Sequence, residues 1–219
     1  MDMTGKVVMI TGASRGIGAA LARQYEDAGE EVIGTARGAG AQAVLDVTDP
    51  ASHASFAASL QDRPLDLLIC NAGVYLDKGD GLDTGFGPDL WAQSFATNVT
   101  GVFLTVQSLL PNLRAAQGAK IAIIASQMGS QTRAPGGSYI YRASKAAAIN
   151  LGRNLAVDLK PEGIAVGMYH PGWVRTDMGG DQGEISVEDS AQGLAGRIAA
   201  LDIAQTGCFE TWDGRAHPF

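Results

Sequence analysis

A strand running straight into a glycine turn and then a helix restricts this chain more than any other stretch. Val7-Val8-Met9-Ile10 is continuously apolar, as a strand buried on both faces must be. It ends in Thr11-Gly12, and Gly12-Ala13-Ser14-Arg15-Gly16-Ile17-Gly18 leads to a helical pattern from Ala19 to Ala28 that Gly29 closes. Such a turn lets backbone N–H groups approach a phosphate, and the helix N-terminus adds positive potential. The spacing is G-x-x-x-G-x-G rather than the commoner dinucleotide pattern G-x-G-x-x-G, but the physical logic is shared. Gly12, Ser14, Arg15, Gly16, Ile17 and Gly18 are therefore the first candidate ligand-binding residues.

The rest of the chain repeats this alternation. Further strands are expected at Glu31–Ala36, Ala43–Val47, Leu65–Cys70, Lys120–Ala125, Ile164–Tyr169 and Gly207–Trp212. Helices are expected at Pro50–Leu60, at Leu90–Leu113 as one long element, at Ala146–Val157 and at Val187–Leu201. No linker, repeat or low-complexity tract interrupts them, so residues 1–219 read as a single doubly wound parallel α/β domain with helices on both faces. Arg37 follows the second strand, where dinucleotide folds place an acid for a ribose hydroxyl or an arginine for a 2′-phosphate. With no acid there and Arg15 in the glycine turn, NADP(H) is preferred, NAD(H) being the alternative. Asn71-Ala72-Gly73 forms a small turn after the fourth strand, where open α/β sheets bind ligands. Asn98 falls inside a helix, a poor place for a side chain that competes for backbone hydrogen bonds.

Tyr139-Ile140-Tyr141-Arg142-Ala143-Ser144-Lys145 opens the helix after the fifth strand. Tyr141 and Lys145, four apart, share one helix face. An ammonium beside a phenol favours the phenolate, so the pair is expected to move a proton near neutral pH. The net charge of −7 argues against nucleic acid and anionic membrane surfaces as partners. Cys70 and Cys208 have no metal-ligand spacing, no metal site is expected, and both read as buried thiols in a reducing compartment. With no leader pattern at Met1 to Lys6 and no apolar run long enough to cross a bilayer, a cytoplasmic location is expected.

These residues together resemble the short-chain dehydrogenases/reductases over essentially the whole chain. The matching pieces are Thr11-Gly12-x-x-x-Gly16-x-Gly18, Asp46-Val47, Asn71-Ala72-Gly73, Asn98-Val99-x-Gly101, Ser126, Tyr141-x-x-x-Lys145 and Pro171-Gly172-x-Val174-x-Thr176, in the family's order. Ser126 to Ser130 and Gly137 to Lys145 look like the small carbonyl-reductase branch that includes the sniffer and C-factor proteins. Cys70 and Ala125 depart from the family's usual asparagine and serine, and the interval from Ser126 to Tyr141 is slightly long. Ser126 and Ser130 both remain candidates for the catalytic serine, Ser126 being favoured because it ends a strand.

The resemblance implies NADPH-dependent interconversion of an aldehyde or ketone and its alcohol. Tyr141 would be the proton donor or base, Lys145 would hold the nicotinamide ribose, Ser126 the substrate carbonyl, and Asn98 would support Lys145 through a water. Asp46-Val47 and Asn71-Ala72-Gly73 would hold the adenosine half; Pro171, Gly172, Val174 and Thr176 would fix the nicotinamide. Tyr75, Met128, Tyr139, Trp173 and Met178 would line a mainly apolar pocket under a glycine-bearing lid, Asp177–Ile185, favouring small apolar carbonyls over highly charged ones. Two alternatives stay open: a dehydratase or epimerase on the same apparatus, and a regulatory or signalling dinucleotide binder with little turnover. The long helix and the one after Tyr141 carry surplus apolar surface, and relatives pair through these helices, so a homodimer or homotetramer is expected.

Overall fold

The computed structural model describes residues 5–38, 40–83 and 85–219; Met1 to Thr4, which the leader argument above used, lie outside them. Its seven strands are β1 (Val7–Thr11), β2 (Glu31–Ala36), β3 (Ala43–Val44), β4 (Leu67–Cys70), β5 (Lys120–Ile124), β6 (Ala165–His170) and β7 (Phe209–Thr211). They form one sheet in the order β3-β2-β1-β4-β5-β6-β7, and each adjacent pair is parallel. Six α-helices are described: α1 (Gly16–Asp27), α2 (Pro50–Leu60), α3 (Pro88–Phe95), α4 (Gly101–Ala115), α5 (Tyr139–Leu159) and α6 (Val187–Ala200).

The continuous apolar runs of the strands split by pleat. Met9, Leu68, Cys70, Ile121 and Ile123 enter one core with Phe56 of α2, Leu109 and Leu113 of α4 and Ile149 of α5. Their neighbours Val8, Ile10, Leu67, Ile69, Ala122 and Ile124 enter a second core with Leu21 of α1 and Leu194 and Ile198 of α6. Period-two alternation thus serves both faces at once, which a helix-covered parallel sheet requires. Burial raises the Cys70 thiol to about 12, so it behaves as a small apolar side chain. No helix among the described residues is long and apolar enough to cross a membrane.

Several boundaries differ from expectation for local reasons. The third strand stops at Val44 because Asp46 turns the chain, its Oδ1 accepting from the Thr48 N–H at 2.9 Å. The fourth begins at Leu67; Leu65 N–H instead donates to the Asn112 carbonyl at 3.0 Å. The expected long helix is α3 and α4 joined by a π turn, Ala96–Thr100, which contains Asn98. A π turn widens the backbone ladder by one residue and is frequent at functional positions. Asn98 is thereby accommodated without being an ordinary mid-helix asparagine.

Candidate active site

Strand order reverses between β1 and β4, and the carboxyl ends of these strands open a crevice there. Asn71, just past β4, locks its two sides together: its Nδ2 donates to the carbonyls of Thr11 and Gly12, both at 3.0 Å. The Thr11 hydroxyl accepts from the N–H groups of Asn71 and Ala72 at 3.0 and 3.1 Å. Gly12 adopts φ +69° and Gly16 φ +56°, the left-handed region that favours glycine. A Cβ on Gly18 would stand 2.3 Å from the Gly12 carbonyl oxygen, so the turn can close this tightly only without side chains. Arg15 caps α1 without a side-chain hydrogen bond, which leaves the first N–H groups of the helix facing the crevice.

These features fit a dinucleotide: a side-chain-free turn for a pyrophosphate and uncapped helix N–H groups to meet its charge. The cleft is about 470 Å³ and is lined by Gly12, Ser14, Arg15, Gly16, Ile17, Gly18, Arg37, Asp46, Val47, Asn71, Ala72, Gly73, Tyr141, Lys145, Pro171 and Thr176. Gly172 and Val174, also expected beside the nicotinamide, line a neighbouring cleft instead. Thr48 and Thr97 join the first cleft without having been read from the sequence, as does Asp177, expected only as the start of the lid. Arg15 forms an ion pair with Asp177, both exposed, and so remains open to exchange.

Tyr141 lines both clefts, at their junction. It is 8% exposed and Lys145 6%. Lys145 Nζ lies 5.7 Å from the Tyr141 ring centroid and donates to the Ile124 carbonyl at 2.9 Å. Burial pushes the phenol up to about 12, with Ser126 hydrogen bonding acting the other way and Tyr75 and Asp77 adding to the rise. Burial also pushes the lysine down to about 8. Desolvation therefore dominates, and the phenol keeps its proton where the sequence suggests a phenolate.

Ser126 opens into the second cleft and also accepts from Met128 N–H at 3.1 Å. Ser130 lies outside both clefts, its hydroxyl paired with that of Thr132 at 2.9 Å. Asn98 lines neither cleft. Its Nδ2 donates to the Val74 carbonyl at 2.9 Å and to Ser144 Oγ at 3.0 Å, while its Oδ1 accepts from Val74 N–H at 2.8 Å. It thus ties the turn after β4 to the helix that carries Tyr141.

That turn holds the helix that carries Tyr141 at a second point. Asp77, fully buried, accepts from the N–H groups of Ile140 at 2.8 Å and Tyr141 at 3.2 Å, capping α5 from a distant loop. Tyr75 stacks on Tyr141 with centroids 4.3 Å apart. Only the folded chain brings Asp77 to α5, so no local sequence signal marks it.

The second cleft, about 880 Å³, is lined by Tyr75, Met128, Trp173 and Met178 as expected of a substrate pocket. Tyr139 is not among its lining residues; it is exposed and packs edge-on against Phe86, 5.2 Å between centroids. The cleft is also less apolar than the sequence suggests, since Lys78, Arg133, His170, Arg215 and His217 reach it. The segment Asp177–Ile185 folds back on itself, Arg175 N–H donating to Ile185 O at 3.1 Å and Ile185 N–H to Trp173 O at 3.2 Å.

Residues 6–185 match the family model described as short chain dehydrogenase. C-signal of Myxococcus xanthus is 36% identical over 169 residues, covering 75% of this chain and 99% of that protein. Among solved structures, the NADPH-bound carbonyl reductase from chicken fatty liver superposes with a TM-score of 0.90 at 29% identity, over 99% of this chain and 100% of that one. The carbonyl reductase Sniffer of D. melanogaster also gives a TM-score of 0.90, at 25% identity over 99% and 100% of the two chains.

Proposed function

The chain belongs to the short-chain dehydrogenase family, and from that premise we propose that it is an NADPH-dependent carbonyl reductase acting on aldehydes or ketones in the cytoplasm. The observation that carries this reading is the place of Tyr141. Its protonated phenol stands where the dinucleotide cleft meets the second cleft, beside Ser126. Bound NADPH would supply the hydride. Tyr141 O–H donates its proton to the carbonyl oxygen as that oxygen becomes an alkoxide, which completes the alcohol. Ser126 Oγ–H hydrogen-bonds the same oxygen and steadies its charge. A phenol held near 12 is protonated at neutral pH and so carries the proton that reduction uses.

The uncapped start of α1 and the glycine turn would hold the pyrophosphate, Arg37 with Arg15 the 2′-phosphate, and Lys145 the nicotinamide ribose. Asp46, Val47 and the Asn71–Gly73 turn would hold the adenosine half. The NADPH in the chicken liver structure supports the cofactor assignment. Asn98 would act through Val74 and Ser144 as a positioning residue.

The test follows the loss of NADPH absorbance with a panel of aldehydes and ketones, alongside Tyr141→Phe. We expect turnover with the parent and a fall of about 10²-fold or more in the variant, with NADPH affinity nearly unchanged. Near-normal turnover by Tyr141→Phe would remove the assigned donor. The likeness to C-signal supports a second reading, a dinucleotide-binding signalling protein. Tight NADPH binding with no turnover across the panel would favour it.

A further inference from the structure

The cleft that Ser126 and Tyr141 share has a far end of different chemistry. Sheet order sets its length. Ser126 follows β5, His170 closes β6, and Arg215 and His217 follow β7, all lining the same cleft. Parallel neighbours stand about 4.8 Å apart, so the β7 end lies about 10 Å from the Ser126 end. Arg133 reaches the cleft from the loop before α5.

Three observations suit this end to negative charge. Among the described residues no carboxylate forms an ion pair with Arg133, whose guanidinium donates to the Gln127 side-chain oxygen. Arg215 does pair with Asp213 at 2.9 Å, but its side chain is 75% exposed, so the pair is weak and open to exchange. His170 is 7% exposed, and its Nδ1 is buried with no hydrogen-bond partner. A buried ring nitrogen without a partner is uncommon in a folded protein, and it leaves the imidazole with no carboxylate of its own to neutralise the arginines.

The charges around His170 have a net sign. Burial comes first, and then His217, Arg133 and Arg215 all act to keep the imidazole neutral, with only Asp213 opposing; its pKa falls to about 4. A neutral imidazole adds no charge of its own, so the charge of this end comes from the arginines. Asp181 and Glu184 also line the cleft, but both are exposed on the segment after β6, and neither is among the charges acting on His170.

We propose that this end is a carboxylate subsite. The substrate is a carbonyl compound whose reacting group stands at Tyr141 and Ser126, and whose free carboxylate, about 10 Å away along an apolar chain, is held by Arg215 and Arg133, with the neutral His170 lining the cleft between the two ends. Met128 and Trp173 line the cleft for the apolar chain. The reacting end rests on the reductase reading above; the subsite rests on the two arginines alone.

Nonanal, azelaic semialdehyde and the methyl ester of that semialdehyde offer one aldehyde with a methyl, a carboxylate or an ester at the far end. We expect kcat/KM for the semialdehyde to exceed that for its ester by about 10-fold or more. The double variant Arg133→Gln with Arg215→Gln should erase that preference, and both side chains are exposed enough for it to fold. Equal use of acid and ester by the parent, or a preference that survives in the double variant, overturns the subsite.

A binding measurement separates this from the reductase reading. Nonanoate, which the enzyme cannot reduce, and nonanol are titrated calorimetrically into the NADPH-loaded protein. Nonanoate binding about 10-fold tighter than nonanol, and losing that advantage in the double variant, supports the subsite even if no aldehyde turns over. Reduction of nonanal without any advantage for nonanoate removes the subsite and leaves the reductase reading standing.

Discussion

Lys145 is 6% exposed, its ammonium donating to one backbone carbonyl, and that burial costs the fold free energy. Its fall from 10.5 to about 8 corresponds to on the order of 3 kcal/mol against the folded state at neutral pH. Lys145→Met lifts this penalty while leaving the Ile124 carbonyl unpaired, which takes back about 1 kcal/mol. We expect a melting temperature higher by roughly 4–8 °C at neutral pH, together with loss of turnover. The gain should be full below about pH 8 and gone by 10.5, since the unfolded lysine holds its proton through a range in which the folded one has lost it. Parent stability therefore rises with pH across that window, and melting curves at about pH 7 and about pH 10 test the sign. A gap that does not narrow would place the cost elsewhere. Arg37 carries a second prediction, because it borders the dinucleotide cleft directly after β2, and the carboxylate that faces it, Asp46, is turned onto Thr48. Arg37→Asp should weaken NADPH and spare or improve NADH, read as the ratio of the two kcat/KM values. A parent that uses both equally would remove the 2′-phosphate role. The Tyr141–Lys145 pair is legible from helical spacing, but its electrostatics are not. Spacing places two groups on one face and says nothing of how much protein covers them.

α5 carries the proposed proton donor, and its N-terminus is held by a residue sixty-odd positions upstream. Asp77 supplies the acceptor that its first N–H groups lack, and Ser138, the residue before the helix, offers no side-chain cap. Asp77→Ala leaves the Ile140 and Tyr141 N–H groups buried and unpaired, a cost of about 1–3 kcal/mol. Because one of those groups belongs to Tyr141, kcat should fall several-fold with KM nearly unchanged. Asp77→Asn keeps an acceptor oxygen and should recover most of both stability and kcat. Failure of asparagine to rescue would mean that the negative charge, not the hydrogen bonds, is what α5 needs. This element also marks where reading the sequence stops. Val7–Thr11 and Lys120–Ile124 are legible as strands because both faces are apolar, and Gly12, Gly16 and Gly18 because few other residues tolerate that turn. Asp77 and the two arginines of the second cleft lie in loops, and only the folded chain brings them to that cleft or to α5. The π turn at Ala96–Thr100 was hidden similarly: Asn98 signals an irregularity, but its kind follows from hydrogen bonds to Val74 and Ser144.

On the whole molecule, α3, α4 and α5 each carry a large apolar side chain that the fold leaves exposed. In α4 the buried residues Val102, Thr105, Val106, Leu109, Asn112 and Leu113 mark the stripe that faces the sheet. Phe103 lies off that stripe and is 40% exposed. Trp91 on α3 and Val157 on α5 are exposed as well. Large apolar side chains are usual on a surface singly, but several on one helical layer suit an interface. We expect a homodimer or homotetramer built through this layer, burying at least about 1,000 Å² as stable assemblies do. Phe103→Glu places a charge in the buried contact, where an unpaired carboxylate is strongly disfavoured, while costing the isolated fold little. Light scattering at micromolar concentration should then give an oligomer for the parent and a monomer for the variant. The same variant tests how assembly bears on the site. α5 carries both Val157 and Tyr141, so a dimer that stiffens α5 should lose turnover when it dissociates, with NADPH still bound at the glycine turn. A parent that scatters as a monomer would remove the interface, and an unchanged kcat in a monomeric Phe103→Glu would separate assembly from catalysis.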